Sequence, residues 1–259
     1  MNVLFIGDVV GKSGRKAVST LLPELREKRG IGFCIANGEN AAGGLGITPD
    51  VTDELFSSGV DVITTGNHIW DKKEVLEVID REKRLIRPLN YPDGVPGKGS
   101  TVIKVPGGLE IAVLNISGRV FMPNLDCPFR AGKSEVDELR KRTPVIFVDI
   151  HAEATSEKMA FGWYLDGLVT AVIGTHTHVQ TADEKILPEG TAYISDVGMT
   201  GSFDSVIGVK KAHVLQRFLT QMPVRFEPAN ADVWLSGVIM EVDSESGKSK
   251  GIERLRAAL

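Results

Sequence analysis

Gly174-Thr175-His176-Thr177-His178-Val179-Gln180 sets two histidines two residues apart, just after the apolar, β-branched run Leu168 to Ile173. Such a run reads as a buried strand. On an extended backbone residues i and i+2 share a side, so both imidazoles are expected to converge on one locus. Neutral imidazole is a common metal ligand, although a histidine pair alone serves equally as hydrogen-bonding or solvent-facing loop residues. Other polar residues repeat the pattern. Asp8, Glu39 with Asn40, Asn67 with His68, and His151 each follow a short apolar run of their own. Four of the five histidines belong to this set, and only His213 stands outside it. In α/β sheets, sites form where loops leave the carboxyl ends of strands.

The donors are carboxylate, amide and imidazole, with no thiolate among them. That chemistry suits Mn, Fe, Zn or Co rather than Ca and argues against structural zinc. The donors are too many for one tetrahedral ion. Two ions about 3.5–4 Å apart, bridged by a carboxylate and a water, would use them all. Each residue also has a plainer reading. Asp8 would cap a helix, Glu39-Asn40 and Asn67-His68 would make turns, and His151 would be structural. None of these explains why such residues recur at strand ends.

The elements that must carry these residues are legible in outline. Strands are expected near 3–6, 31–36, 60–64, 145–150, 168–173 and 191–194, and a hairpin at 100–105 and 110–116 around Pro106-Gly107-Gly108. Helices are expected near 15–29, stopped by Gly30, after Thr48-Pro49, and near 72–79. Gly11 and Gly14 would loosen the turn before the first helix, and 118–132 would be irregular, with Phe121, Met122 and Phe129 lining a nucleoside pocket or a subunit contact. The tail reads as a strand over 232–242, then a strand or short helix over 251–259. Early strand–helix alternation argues for parallel pairing and the late hairpins for mixed sheet. The fold class is therefore α/β, with helices outside and sheet inside.

Bulk properties bound the reading. A chain of 259 residues, 42% hydrophobic and 25% charged, fills a globular core, and no linker or repeat divides it, so one domain spanning 1–259 is expected. A net charge of −4 without a basic cluster speaks against duplex nucleic acid, which is bound through many phosphate contacts. A small phosphate ester is compatible, because the ions would supply positive charge. Cys34 and Cys127 form no CxxC motif. The first residues lack a charged n-region, their apolar run is too short for a signal peptide, and no stretch reaches the about 20 apolar residues of a membrane span. The expectation is a soluble, cytoplasmic protein.

Gly7-Asp8, Gly66-Asn67-His68, His151 and Gly174-Thr-His176-Thr-His178 together resemble the spaced blocks of the calcineurin-like metallophosphoesterase superfamily. The resemblance runs from Asp8 to His178. Two departures narrow it: Val9-Val10 follow Asp8 where Asp-x-His is usual, and Glu39-Asn40 stand where an Asp would bridge. With Asn37-Gly-Glu-Asn-Ala-Ala-Gly-Gly44 and Asp149-Ile-His-Ala-Glu-Ala-Thr-Ser-Glu-Lys158, the chain looks like the YmdB-like branch. The resemblance implies a layered α-β-β-α metallophosphoesterase fold with mixed sheets between helices, and two divalent or mixed-valence ions, Fe and/or Mn before Zn or Co. Asp8, Asn40 and His178 would hold the first ion, Asn67, His151 and His176 the second, with Glu39 bridging. It implies a phosphodiesterase acting on 2′,3′-cyclic nucleotides such as 2′,3′-cAMP. Hydroxide between the ions would attack phosphorus, and His68 would act as general acid. A homo-oligomer is also implied. The alternatives are a metal-dependent phosphomonoesterase or nucleotidase on the same ions, and a metal-binding regulatory protein with little turnover.

Overall fold

Val3 and Phe5 pack into one core while Leu4 and Ile6 pack into another. Successive side chains of a strand point to opposite faces, so the first strand is buried on both sides and belongs inside a sandwich. The structure, a computed structural model, describes residues 1–259. It opens with β1 (Asn2–Ile6), β2 (Asp8–Val9), α1 (Gly11–Arg29), β3 (Ile31–Asn37), α2 (Pro49–Ser57) and β4 (Val62–Thr64). The middle holds β5 (Ser100–Lys104), β6 (Glu110–Ser117), α3 (Pro128–Leu139), β7 (Ile146–His151), α4 (Thr155–Tyr164) and β8 (Ala171–Thr175). It closes with β9 (Lys185–Ile186), β10 (Ala192–Ile194), β11 (Met199–Ser202), α5 (Lys211–Thr220), β12 (Val233–Val242) and β13 (Ser249–Ala258).

One sheet runs β2-β11-β12-β1-β3-β4 with β13 on β12, and the other runs β5-β6-β7-β8-β10-β9. β1, β3 and β4 are mutually parallel, as are β6, β7, β8 and β10, while β12 and the outer strands β5 and β9 pair antiparallel. Both sheets are mixed, as expected. Helix α1 (Ala17, Val18, Leu22) and α2 (Val51, Leu55) cover the outer face of the first sheet. Helices α3 (Val136, Leu139) and α4 (Phe161) cover the outer face of the second. Between the sheets, Val3, Phe5, Phe33 and Ile35 meet Val113, Phe147 and Ile173. The order is α-β-β-α. Burying one such side chain contributes about 1.5–3 kcal/mol, more than a surface ion pair of about 0–1 kcal/mol, so the apolar layers fix where the strand ends lie.

Several local expectations change. Helix α1 starts at Gly11 rather than near Arg15. Its Gly14 does not loosen a turn; a Cβ there would lie 2.4 Å from the Thr200 carbonyl oxygen, so the glycine lets helix and strand touch. Gly30 does end the helix, at φ 59°. Thr48 caps α2 through Val51 N–H with Pro49 in the first turn. Residues 73–77 form a 3₁₀ helix instead of an α-helix. The irregular stretch after Gly118 ends at Cys127, because Pro128 opens α3. Phe129 is partly buried and packs edge-on against Phe161 and Tyr164. The last segment is a strand, β13, paired along β12. No helix is long and apolar enough to cross a membrane.

Candidate metal centre

The parallel strands of both sheets end on one edge of the sandwich, and there the chain turns polar. Asp8 follows β1 and Glu39 and Asn40 follow β3. Asn67 and His68 follow β4, His151 ends β7, and His176 and His178 follow β8. Asp8, Glu39 and His151 are 0–1% exposed. Gly66 has to be glycine, because a Cβ would come within 2.2 Å of His151 Nε2 and 2.3 Å of Glu39 Oε2. Two side chains from different sheets pass directly over its backbone.

Around His151 Nε2 stand Glu39 Oε1 at 3.0 Å, Asn67 Oδ1 at 3.1 Å and His176 Nδ1 at 3.0 Å. The hydrogen-bond network assigns the ring protons. Thr175 Oγ1 donates to Asp149 Oδ1 at 2.7 Å, so His151 Nδ1–H must donate to Thr175 Oγ1 at 2.9 Å. His176 Nε2 lies 3.2 Å from Glu153 Oε2. In its neutral form His151 therefore presents a bare Nε2 inward, to a carboxylate and an amide oxygen. Acceptors face acceptors.

The same logic holds for His178. Its Nδ1–H donates to the Ile207 carbonyl at 2.9 Å, which leaves Nε2 facing Asn40 Oδ1 at 3.2 Å and Asp8 Oδ1 at 3.8 Å. The Asn40 amide is oriented by its Nδ2–H, which donates to Gly44 O at 3.0 Å. Asp8 Oδ1 is buried and has no hydrogen-bond partner. An unpartnered buried carboxylate oxygen costs free energy, and a cation removes that cost. Donor atoms each about 2.1 Å from one ion and at right angles lie about 3 Å apart, the spacing seen around His151. Glu39, His151 and His176 offer ligand atoms all within 4.8 Å of one another. The residues present fit metal ions.

Titration follows from the same crowding. Burial pushes Asp8 upward, against the pull of His178 and His151. Burial and then the neighbouring His151 push His176 down to about 3. Burial also works against charge on Glu39 and His151, but their mutual attraction overcomes it. Glu39 falls to about 2 and His151 rises to about 9, with Asp8 and Asp149 adding to the latter. Without a cation, a proton on His151 is the one remedy the site has.

The structure brings the expected donors together, with one correction. His176 and His178 do not share a side of an extended backbone; their φ values are 100° and 66°, in the left-handed region that non-glycine residues seldom adopt. The rings part, one to each donor group. His68 stands at the rim, its side chain 32% exposed, with Nδ1 2.8 Å from Asp71 Oδ2 and its backbone N–H donating to Glu39 Oε2 at 3.1 Å. Asp71 thus folds back onto His68. Sequence reasoning misses Asp149 and Thr175, which orient the His151 ring, and Glu153 beside His176. Asp149 had a signal: a carboxylate inside the apolar run Val145–Ile150, two residues before His151 and on the same side.

Comparison with known proteins identifies the family. Residues 4–255 match the family model for YmdB-like proteins. A 2′,3′-cyclic-nucleotide 2′-phosphodiesterase of Bacillus subtilis (strain 168) is 52% identical over 255 residues, covering 98% of this chain and 96% of the relative. The crystal structure of a hypothetical protein from Thermus thermophilus superimposes with a TM-score of 0.93 at 43% identity, covering 100% of this chain and 99% of the other. That of a novel phosphatase from Mycoplasma pneumoniae gives 0.93 at 37% identity, covering 100% and 93%. With this match along nearly its whole length, the chain belongs to the YmdB-like family.

Proposed function

We propose that this chain is a metal-dependent phosphodiesterase that opens 2′,3′-cyclic nucleotides at the 2′ ester. The observation that carries the reading is the inward-facing set of acceptors, with Asp8 Oδ1 unpartnered, at the edge where both sheets end. Asp8, Asn40 and His178 would hold one ion, Asn67, His151 and His176 would hold the other, and Glu39 would offer its carboxylate to the centre. When bound, two such ions supply positive charge to phosphate oxygens and make a shared water acidic enough to attack near neutral pH. Fe and/or Mn suit oxygen and imidazole donors without thiolate.

His68 acts on the leaving group. Asp71 holds its Nδ1–H at 2.8 Å, which fixes the ring and leaves Nε2 to the open side. In the reaction water loses one proton to solvent as its oxygen bonds to phosphorus, the bond from phosphorus to O2′ breaks, and the His68 imidazolium gives its Nε2 proton to O2′. The product is the nucleoside 3′-phosphate. Glu39 holds the backbone of His68 through Oε2, so donor group and proton donor keep a fixed separation.

The same reading takes 1–259 as one domain, supported by the apolar layer the two sheets share. It takes the substrate as a small phosphodiester and not duplex nucleic acid, supported by the net charge of −4. Cytoplasmic residence is supported by two free cysteines, which fit a reducing compartment.

The test is hydrolysis of 2′,3′-cyclic AMP by the purified chain with Mn²⁺ and with chelator, with the product identified by chromatography. Mn²⁺-dependent formation of 3′-AMP is the expected result. Cleavage of a generic diester alone would overturn the substrate but keep the centre. Inactivity on both, with Mn²⁺ bound, would overturn the enzyme reading.

A further inference from the structure

Lys158 and Asp196 are each 1% exposed, and Lys158 Nζ donates to Asp196 Oδ2 at 2.8 Å. A buried ion pair is seldom the most stable filling for its space, so what the pair holds matters. Asp196 Oδ2 also accepts Thr177 N–H at 3.0 Å and Thr177 Oγ1–H at 2.8 Å. Its Oδ1 accepts Gly198 N–H at 2.8 Å, and its backbone N–H and C=O pair with Thr181 Oγ1 and Thr181 N, both at 3.0 Å. Thr177 is the residue between the two left-handed histidines.

We propose that Lys158 and Asp196 are positioning residues that pin Thr177 and thereby split His176 and His178 between two ions. The proposal rests on the two-ion reading above. An extended Thr175–Val179 would send both imidazoles to one side. With Thr177 held by two hydrogen bonds, the backbone turns left-handed at residues 176 and 178 instead. His176 Nδ1 then reaches 3.0 Å from His151 Nε2, and His178 Nε2 reaches 3.2 Å from Asn40 Oδ1. Left-handed non-glycine residues persist only where their surroundings over-determine them, and Asp196 is that determinant. It spends one oxygen on three donors, which a carboxylate does well, and buried charge needs the Lys158 ammonium beside it.

Two variants test this. Thr177→Val removes the hydroxyl and keeps the branched shape. Lys158→Met with Asp196→Asn removes both charges together and leaves no orphaned ion. Thermal unfolding checks that each folds, Mn²⁺ titration calorimetry counts sites and affinities, and electron paramagnetic resonance reports whether two Mn²⁺ are coupled. Wild type binding two coupled Mn²⁺ ions is the check on the two-ion reading, and fewer would overturn that reading and the proposal with it. Given two, each folded variant is expected to bind its weaker Mn²⁺ about 10–100-fold less tightly and to show an isolated-ion signal at limiting metal. Wild-type affinities and an unchanged coupled signal in Thr177→Val would overturn the proposal alone, even if the double variant does not fold.

Discussion

The two donor groups share their chemistry and differ in what holds them. Glu39 and His151 are buried between two sheets, and His151 is backed by Thr175 and Asp149. Asp149 in turn accepts Thr64 Oγ1–H at 2.5 Å and Asn37 Nδ2–H at 3.0 Å, both from the opposite sheet. His178 and Asn40 depend on loops: Ile207, half exposed at φ 46°, supplies the carbonyl for one, and the glycine-rich turn at Gly44 supplies the other. Loop contacts open at lower free-energy cost than core strands. The strand-held group is therefore expected to fill first and tightly, and the loop-held group to exchange its ion.

The largest effect should come from breaking the strand-held group. His151→Ala removes the nitrogen on which Glu39, Asn67 and His176 converge, so bound Mn²⁺ should fall by one ion or more and hydrolysis should drop to the chelator level. Unchanged metal content by elemental analysis would contradict the assignment. Next comes His68→Ala, which belongs to neither group. Turnover should fall about 10²–10⁴-fold with metal content intact; metal loss would make His68 a ligand. Asn40→Ala weakens the loop-held group only, and one tight Mn²⁺ should remain while the second weakens. Loss of the tight ion instead would reverse the comparison.

Acidity sharpens the same contrast. Glu39, Asp8 and Asp149 raise His151 to about 9, against burial, so in the metal-free chain its charge stabilises the fold fully below about pH 6.5. That contribution is lost as pH rises through about 9. Mn²⁺ must displace this proton, so affinity at the strand-held group should climb by up to about tenfold per pH unit across that window and then level. Calorimetry in buffers of different ionisation enthalpy measures the proton released. No proton release there would mean His151 is neutral before metal arrives.

How much of this was legible depended on where each cause lies in the chain. The donors were legible because each follows a short apolar run, and strand ends of one sheet must share an edge. The unbroken apolar run Val3–Ile6 marked a buried strand, but the α-β-β-α order followed only from the resemblance. The parting of His176 and His178 was not legible, since their φ values answer to Asp196, whose role no local pattern announces. Helix α4 was hidden for a related reason: its buried face includes Glu157 and Lys158, which break the apolar stripe. Glu157 is buried because it accepts the backbone N–H groups of Arg119 and Val120, and Lys158 because it meets Asp196. Periodicity finds helices that bury hydrocarbon, and this one buries charge.

The smallest effect expected is at Glu153, and it tests whether the strand-held group owes its rigidity to both its histidines or to His151 alone. Glu153 is half exposed, and its Oε2 lies 3.2 Å from His176 Nε2. Its carboxylate raises the basicity of the ligating nitrogen across the ring, but solvent screens a pair so exposed. Glu153→Gln keeps an acceptor and removes the charge. Mn²⁺ affinity at the strand-held group should fall about tenfold, the low end for such partners, with the loop-held group unchanged. Because the lost term is a screened charge, the gap between wild type and variant should narrow as salt rises. Competition titrations against a chelator at low and high ionic strength measure both. A variant indistinguishable from wild type at low salt would leave the Thr175–Asp149 pair behind His151 as the whole source of the difference between the two groups.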